Sequence, residues 1–223
     1  MREPADPAEF VRANTIVAAP PLVPEIRLHL ASEITPLWHA TEASLAKAQL
    51  PPPYWAFAWA GGQALARHIL DHPELVRRRA VLDFGAGSGL VAIAAAKSGA
   101  RVTAAEIDAF AAAAIALNAA LNEVEIAIER ADVIGREPAP WDVVLAGDMC
   151  YERPLAERLS HWLRALAARG VTVLLGDPGR AYLPSGGLEA IGRYDVPTTL
   201  ELEDRTSRVG IVWRLTETAP CAS

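Results

Sequence analysis

The stretch from Val81 to Leu90 constrains the fold and function of this chain more than any other. It reads Val-Leu-Asp-Phe-Gly-Ala-Gly-Ser-Gly-Leu, with glycines alternating at Gly85, Gly87 and Gly89. Apolar residues before the glycines and an apolar helical run after them predict a strand, a tight turn and a helix. Glycine lets the backbone approach a ligand closely, and a helix N-terminus presents unpaired N–H groups. We therefore expect this turn to hold a cofactor.

The composition restricts the class of protein. The 223 residues are 52% hydrophobic, which suits one α/β domain with an N-terminal extension. The net charge of -6 argues against sequence-independent nucleic-acid binding. The two cysteines, Cys150 and Cys221, are far apart, and the sequence shows neither a secretory signal nor a membrane-spanning apolar run. We expect a monomeric cytoplasmic protein without a nucleic-acid or membrane partner.

Residues 1–60 are rich in proline, which breaks long helices. We expect short helices at Pro7–Ala13 and Thr41–Ala48, and an edge strand at Glu25–Leu30. The chain therefore divides into an N-terminal extension, residues 1–60, packed over the mouth of the site, and a core domain, residues 61–223.

An aromatic run immediately precedes the core domain. Four large rings fall within six residues: Tyr54, Trp55, Phe57 and Trp59. Core packing is the expectation for Tyr54 and Phe57, because large aromatic side chains are usually buried. Trp59 adjoins a Gly-Gly step just before the cofactor turn, and the sequence leaves open whether it fills the core or walls a pocket.

Strands and helices then alternate along the chain. The predicted strands after the glycine turn are Arg101–Ala105, Glu125–Ile128, Trp141–Ala146, Val171–Leu175, Tyr194–Leu202 and Arg208–Leu215. Helices are predicted from Gln63 to Asp71, from an N-cap at Ser88 to Lys97, from an N-cap at Asp108 to Leu121, and from Leu155 to Leu166. This alternation indicates a parallel sheet with helices on both faces, closed by an antiparallel hairpin.

Acidic residues end four successive strands, at Asp83, Glu106, Asp132 and Asp148. Ligands of an open parallel sheet bind beyond the carboxyl ends of its strands. Glu106 lies about twenty residues past the glycine turn, where an acid accepts hydrogen bonds from the ribose hydroxyls of a nucleoside cofactor. Asp132 is either an acceptor for the adenine amino group or a surface turn acid, and both interpretations stay open.

Charge and glycine spacing distinguish between two nucleoside cofactors. A dinucleotide site needs Gly-x-Gly-x-x-Gly, and its third glycine position here is Leu90. The carboxylate of Asp83 would repel a pyrophosphate and suits a cofactor with an ammonium and a sulfonium. The pattern therefore favours S-adenosylmethionine over NAD.

The sequence resembles a known class at these positions. Asp83-Phe84-Gly85-Ala86-Gly87-Ser88-Gly89, with Glu106 and the strand ending at Asp148, is similar to the class I seven-strand methyltransferases over about residues 61–215. The resemblance implies a Rossmann-like α/β sheet of order 3-2-1-4-5-7-6, with strand 7 antiparallel and helices on both faces. It implies S-adenosylmethionine as cofactor and S-adenosylhomocysteine as product, bound by Trp59 and the three turn glycines as well as by the four strand-end acids.

A narrower resemblance covers nearly the whole chain. Phe10–Thr15, Pro21–Leu30 and Pro52–Gly62 resemble the electron-transfer-flavoprotein beta-subunit lysine methyltransferases, as does the Asp-x-x-Tyr step at Asp148 and Tyr151. This family commonly has phenylalanine before that tyrosine, where the present chain has Cys150. The resemblance implies methylation of lysine side chains on the flavoprotein beta subunit, near its recognition loop for partner dehydrogenases.

The implied reaction is attack of a neutral amine on the sulfonium methyl group. Asp148 and Tyr151 are the candidate catalytic residues: Asp148 orients the incoming ammonium, and Tyr151 walls or hydrogen-bonds it. The proton goes either to Asp148 or to water, and the sequence does not decide between them. A small-molecule amine, another protein such as a ribosomal protein, and a binding module without turnover are the alternatives. The five histidines lack metal-ligand spacing, so no metal is expected.

Overall fold

The computed structural model describes residues 6–32, 37, 52–137, 140–198 and 206–216. The expected helix at Thr41–Ala48 lies outside these residues. The α-helices of the described residues are α1 (Pro7–Asn14), α2 (Ala60–Asp71), α3 (Leu90–Lys97), α4 (Ala109–Leu121) and α5 (Arg153–Ala167). The strands are β1 (Ile16–Ala18), β2 (Leu28–Leu30), β3 (Ala80–Phe84), β4 (Arg101–Ala105), β5 (Ala127–Glu129), β6 (Val143–Gly147), β7 (Thr172–Asp177), β8 (Leu188–Pro197) and β9 (Ser207–Leu215).

The described residues from β3 onward form a seven-stranded sheet of order β5-β4-β3-β6-β7-β9-β8. Strand β9 runs antiparallel to both β7 and β8, and the pairs from β5 to β7 are parallel. Counted within this sheet, the order is 3-2-1-4-5-7-6 with the seventh strand antiparallel, so the predicted topology is confirmed. Strands β1 and β2 form a separate antiparallel pair.

Neighbouring residues of a strand point to opposite sides of the sheet, and the central strands are covered by packed side chains on both sides. Val81 packs with the α2 and α3 side chains Leu65 and Ile93 on one face. Leu82, the next residue of β3, packs with Leu159 of α5 on the other. Helix α1 packs against α4, outside these two layers. The central strands β3 and β6 are thereby buried on both faces, and the site lies at their carboxyl ends.

Helix α2 begins at Ala60, three residues before the predicted start at Gln63. The two glycines in its first turn are poor helix formers, which is why the sequence pattern misses them. The backbone N–H of Gly62 donates to Asp148 Oδ2 at 2.7 Å. A carboxylate placed at a helix N-terminus satisfies an unpaired donor and interacts favourably with the helix dipole.

The predicted N-cap at Ser88 is wrong. Helix α3 begins at Leu90 after Gly89, whose φ is 79°, and no side chain of the N-cap residue accepts a hydrogen bond there. Asp83 Oδ2, at the end of β3, accepts from Ala92 N at 2.9 Å and so serves the helix N-terminus from a different element. The other predicted cap is confirmed, since Asp108 Oδ1 accepts from Phe110 N at 2.7 Å at the start of α4.

Several element boundaries also differ from those expected. The edge strand expected at Glu25–Leu30 is limited to β2, and α1 ends one residue later than expected. Strand β8 begins six residues before the predicted Tyr194, and the predicted end at Leu202 lies outside the described residues. Within the described residues, no helix is both long and apolar enough to cross a membrane.

Candidate active site

A cavity of about 580 Å³ opens at the carboxyl ends of the parallel strands. Its volume is in the range of cofactor-sized pockets. Seven of the sequence-predicted site residues line it: Trp59, Gly85, Gly87, Glu106, Asp132, Asp148 and Tyr151. Asp83 and Gly89 are not among its lining residues. Asp83 borders a smaller adjoining pocket of about 50 Å³, which Gly85 and Gly87 also line.

The glycine turn and Glu106 form one hydrogen-bonded unit. Glu106 Oε2 accepts from Gly87 N at 3.0 Å, and its Oε1 accepts from Asp108 N, also at 3.0 Å. Burial raises the pKa of Glu106, and the backbone N–H groups of Asp108, Gly87 and Ile107 oppose that shift. A carboxylate has about four acceptor positions, so each oxygen keeps a position for a ligand hydroxyl. The unit is therefore suited to hold a ribose beside the turn.

Asp83 lies beneath the turn rather than on the cavity wall. Its side chain is buried, and burial raises its pKa to about 8, against the hydrogen bond from Ala92 N. The carboxyl group is consequently protonated for a large part of the time at neutral pH in the absence of a cation. A cationic group in the adjoining pocket would favour its ionised form.

Asp132 is an exposed residue of the cavity lining. Its Oδ1 accepts from Ile134 N at 3.0 Å, and its Oδ2 accepts from Arg158 Nη2 at 2.8 Å. The hydrogen bond from Arg158 is the main cause of the lowered pKa of Asp132. Arg158 also lines the cavity, and sequence analysis did not identify it.

Asp148 is the most extensively bonded acid of the site. It directly follows β6 with a φ of 57°, a left-handed conformation uncommon for a residue with a side chain. Its N–H donates to Gly176 O at 2.8 Å, and its Oδ2 accepts from Gly62 N. Its Oδ1 accepts from both Nε (3.0 Å) and Nη2 (2.7 Å) of Arg180. Burial raises the pKa of Asp148 to about 6, opposed first by the charge of Arg180.

Three aromatic rings wall the cavity next to Asp148. Trp59 Nε1 donates to Tyr54 O at 2.8 Å, and its ring lies 6.1 Å from the ring of Tyr54 between centroids. Tyr54 and Tyr151 are 5.5 Å apart. The expectation of core packing for Tyr54 is wrong, because this side chain is 51% exposed at the cavity mouth. Trp59 lies on the cavity wall, so of the two interpretations left open, the geometry is that of the pocket wall.

Arg180 is the main residue that sequence analysis missed. It follows β7 in the segment Gly176-Asp177-Pro178-Gly179-Arg180. Asp177 Oδ1 accepts from the backbone N–H groups of Gly179 and Arg180, at 2.7 and 2.6 Å, so the loop turns back toward Asp148. A signal was available, since β7 neighbours β6 and their carboxyl ends meet at one edge of the sheet.

The cavity fits a nucleoside that carries a cation. The turn glycines let the ligand approach the backbone, Glu106 offers acceptors to hydroxyl groups, and Asp83 is a buried acid that a nearby cation would ionise. Among the described residues, no cluster of three or more His, Cys, Asp or Glu side chains is arranged to hold a metal ion.

The structure and the family comparison agree on the class of this chain. Residues 64–176 match the family model "Ribosomal protein L11 methyltransferase (PrmA)". The fold is similar to that of magnesium protoporphyrin IX methyltransferase from Synechocystis PCC 6803, solved with bound S-adenosylmethionine. That similarity has a TM-score of 0.53 and 16% identity, and covers 70% of this chain and 80% of the other. The chain is a class I methyltransferase, with S-adenosylmethionine as its cofactor.

Two curated relatives identify the family more narrowly. The electron transfer flavoprotein beta subunit lysine methyltransferase of Xenopus laevis is 39% identical over 217 residues, which are 93% of this chain and 86% of the relative. The homologue of that enzyme in Caenorhabditis elegans is 36% identical over 209 residues, which are 86% of this chain and 84% of the relative. The chain belongs to the electron transfer flavoprotein beta subunit lysine methyltransferase family.

Proposed function

We propose that this enzyme transfers methyl groups to lysine side chains of the electron transfer flavoprotein beta subunit. The observation that carries the proposal is the extent of the family likeness. The match to the Xenopus laevis relative covers 93% of this chain, whereas a ribosomal protein L11 methyltransferase of Pelobacter propionicus matches only 50% of it, at 36% identity. The likeness to the flavoprotein methyltransferases therefore extends beyond the cofactor-binding half, and this supports a shared protein substrate.

We propose that the domain organisation follows the same division. Residues 61–223 form the methyltransferase domain, and residues 1–60 form an extension on its acceptor side. Two contacts support this division: Trp55 and Val11 pack with Ala111 of α4, and Pro52 to Trp59 contribute side chains to the cavity. The extension thereby joins the outer surface of α4 to the acceptor end of the site.

The cofactor occupies the end of the cavity bordered by the glycine turn in this proposal. Glu106 holds the ribose, Asp132 accepts from the adenine amino group, and Asp83 faces the cationic amino acid portion. When bound, S-adenosylmethionine supplies a methyl group on an electron-poor sulfonium. The binding residues would hold this group in line with an incoming amine, since positioning and exclusion of water are the main sources of rate in such a displacement.

The acceptor lysine enters between the aromatic rings. Tyr54 and Tyr151 stand half-exposed at the mouth, and Asp148 lies deeper in the wall. Three hydrogen bonds, from Gly62 and Arg180, use three of the about four acceptor positions of the Asp148 carboxylate. The remaining position accepts one N–H of the lysine amine, which aims its lone pair, while Tyr151 walls the side chain.

We also propose that the enzyme is a monomeric cytoplasmic protein without a nucleic-acid or membrane partner. The net charge of -6 argues against nucleic-acid binding, since proteins that bind nucleic acids carry clustered basic residues. Light scattering tests the monomeric state, and a salt-dependent RNA-binding assay tests the absence of nucleic-acid binding.

The substrate is tested by incubating the purified protein with methyl-labelled S-adenosylmethionine and recombinant flavoprotein beta subunit, followed by mass spectrometry of the peptides. We expect methylated lysines on the beta subunit and no label on ribosomal protein L11. Label on L11 or on small amines alone would contradict the substrate while leaving the methyltransferase class intact. Asp148→Asn tests the acceptor site. Full methyl transfer with unchanged substrate affinity in this variant would contradict the proposal that Asp148 orients the acceptor amine.

A further inference from the structure

The ion pair between Asp148 and Arg180 lies in the wall of the acceptor end of the cavity. Both residues line the cavity, and their side chains are only 8% and 19% exposed. The guanidinium directs two N–H groups at one carboxylate oxygen. Screening by water is weak at this burial, so each charge acts strongly on its neighbours.

The position of Arg180 is fixed by two further contacts. Asp177 Oδ1 accepts from its backbone N–H at 2.6 Å, which anchors the loop after β7. The guanidinium carbon lies 5.5 Å from the centre of the Trp59 ring, a cation–π distance. The cation is therefore built into the acceptor wall from the backbone, the carboxylate and an aromatic face.

This arrangement matters because a free lysine is almost fully protonated at neutral pH, with a pKa of about 10.4, and an ammonium has no lone pair to attack a methyl group. A buried carboxylate without a counter-charge would bind that ammonium and hold it in the protonated form. In the pair with Arg180 the negative charge is already compensated, and the guanidinium repels a second cation. An acceptor site of this kind favours the amine over the ammonium.

The other ionisable groups near the pair leave this balance intact. Asp177 is buried just behind it and raises the pKa of Asp148, but Arg208 on β9 acts on Asp177 as a second compensating cation. Cys150 has a pKa raised to about 12 by burial, so its thiol is neutral. The remaining ionisable groups of the cavity lining lie on the mouth or the cofactor side: Tyr54, Tyr151, Glu106, Asp108, Asp132 and Arg158.

We propose that Arg180 is a positioning residue that compensates Asp148, so that the acceptor site takes the substrate lysine as its neutral amine. This inference rests on the proposed lysine methylation. The lysine ammonium releases its proton to water at the cavity mouth, and Asp148 accepts one N–H of the resulting amine. The nitrogen lone pair then forms the new N–C bond as the S–CH₃ bond breaks, and the electrons of the S–CH₃ bond stay on sulfur. The methylated ammonium then loses one proton to solvent.

The test is the pH profile of the single-turnover rate, with enzyme in excess and S-adenosylmethionine saturating. The wild-type rate on the flavoprotein beta subunit is measured first, so that failure of the substrate proposal is recognised separately. If the enzyme does not methylate the flavoprotein beta subunit, the pH profile is measured on whichever amine it does methylate. We expect a rate that rises tenfold per pH unit and then levels off, because the amine fraction limits it below the plateau.

In Arg180→Gln we expect this rise to move to higher pH by about 1 unit or more, as for loss of a nearby like charge. If pH 7 lies on the rising part of the profile, the ratio of the rate at pH 7 to the plateau rate is then at least tenfold smaller than in wild type. Arg180→Lys keeps the positive charge and is expected to keep the wild-type midpoint. In the double variant Arg180→Gln/Asp148→Asn, the midpoint is expected to return toward wild type, because both charges of the pair are gone. A residue with only a structural role would not produce that return.

Asp148→Asn alone keeps the proposal testable if Arg180→Gln does not fold, which thermal melting reports. The guanidinium then stays without its anion, and we expect a midpoint equal to or below that of wild type. A midpoint moved upward would show that Asp148 takes the proton, and would overturn the proposal. An equal loss of rate at every pH in Arg180→Gln, or an unchanged profile, would overturn it as well.

Discussion

Gly61 of α2 and Gly176 of β7 pack backbone against backbone. A Cβ on Gly61 would collide with Gly176 O and lie 2.7 Å from Asp148 Oδ2, and a Cβ on Gly176 would collide with Gly61 O. The same carbonyl of Gly176 accepts from Asp148 N at 2.8 Å. The absence of two side chains therefore brings the start of α2 close enough for Gly62 N to bind the Asp148 carboxylate.

Gly61→Ala should lower the free energy of unfolding by about 1–3 kcal/mol, because the added methyl group meets backbone that has no room to move. The urea midpoint measures this effect. Gly186→Ala is the matched control, since its Cβ would meet nothing within 4 Å. Equal midpoints for the two variants would show that α2 shifts without cost and that the close approach is not required.

Glu106→Gln should weaken S-adenosylmethionine binding. Removing the charge weakens hydrogen bonds worth about 1.5–3 kcal/mol for an ionised group, which corresponds to roughly 10- to 100-fold in Kd. Isothermal titration calorimetry measures the Kd, and we expect the KM for the protein substrate to stay unchanged. Glu125→Gln, on the exposed segment before β5, is the control. A wild-type Kd in Glu106→Gln would remove this residue from the ribose site.

Asp83→Asn should make the stability less dependent on pH. The folded-state pKa of about 8 lies above the value of about 3.9 expected in the unfolded chain. Between these values the folded state binds more protons, so wild-type stability falls as pH rises, by up to about 1.4 kcal/mol per pH unit. The amide that replaces the carboxyl group in this variant does not titrate, so we expect a flatter profile in urea titrations from pH 5 to 8.

Asp83→Asn should weaken the binding of S-adenosylmethionine, although the variant no longer has to ionise a buried carboxyl group. A bound cation favours the ionised form of Asp83, so wild-type affinity for S-adenosylmethionine should rise with pH and protons should be released on binding. Calorimetry in buffers of different ionisation enthalpy counts those protons. Equal proton release by wild type and Asp83→Asn would contradict the assignment of Asp83 to the cationic end of the cofactor.

The cofactor side of the site was predictable because its signals are local in sequence. The glycine turn and Glu106 belong to a strand–turn–helix–strand unit whose geometry is nearly fixed by the glycine spacing and the strand ends. The alternation of strands and helices predicted a parallel sheet closed by an antiparallel hairpin, and the resemblance to a known class supplied the strand order. The turn and its acid are joined by a contact of short sequence separation, since Gly87 N and Glu106 are only 19 residues apart.

The acceptor side was harder to predict because its contacts join distant elements. Arg180 meets Asp148 across 32 residues, and Gly62 meets it across 86. Neither pairing leaves a periodic pattern in the sequence. Tyr54 was assigned to the core by its residue type, but its position at the cavity mouth depends on how the N-terminal segment crosses α4.

Tyr151→Ala should raise the KM for the protein substrate, whereas Tyr151→Phe should leave it close to wild type. The contact that the structure shows for this side chain is with the Tyr54 ring, at 5.5 Å between centroids. Phenylalanine keeps that contact, which is worth about 0.5–1.5 kcal/mol beyond the area it buries. Alanine also removes the ring that walls the substrate lysine in the proposed site, and loss of an aromatic contact of that size corresponds to a KM up to roughly tenfold higher, with the Kd for S-adenosylmethionine unchanged in both variants. A large loss of rate in Tyr151→Phe would instead assign the hydroxyl group, rather than the ring, to the acceptor amine.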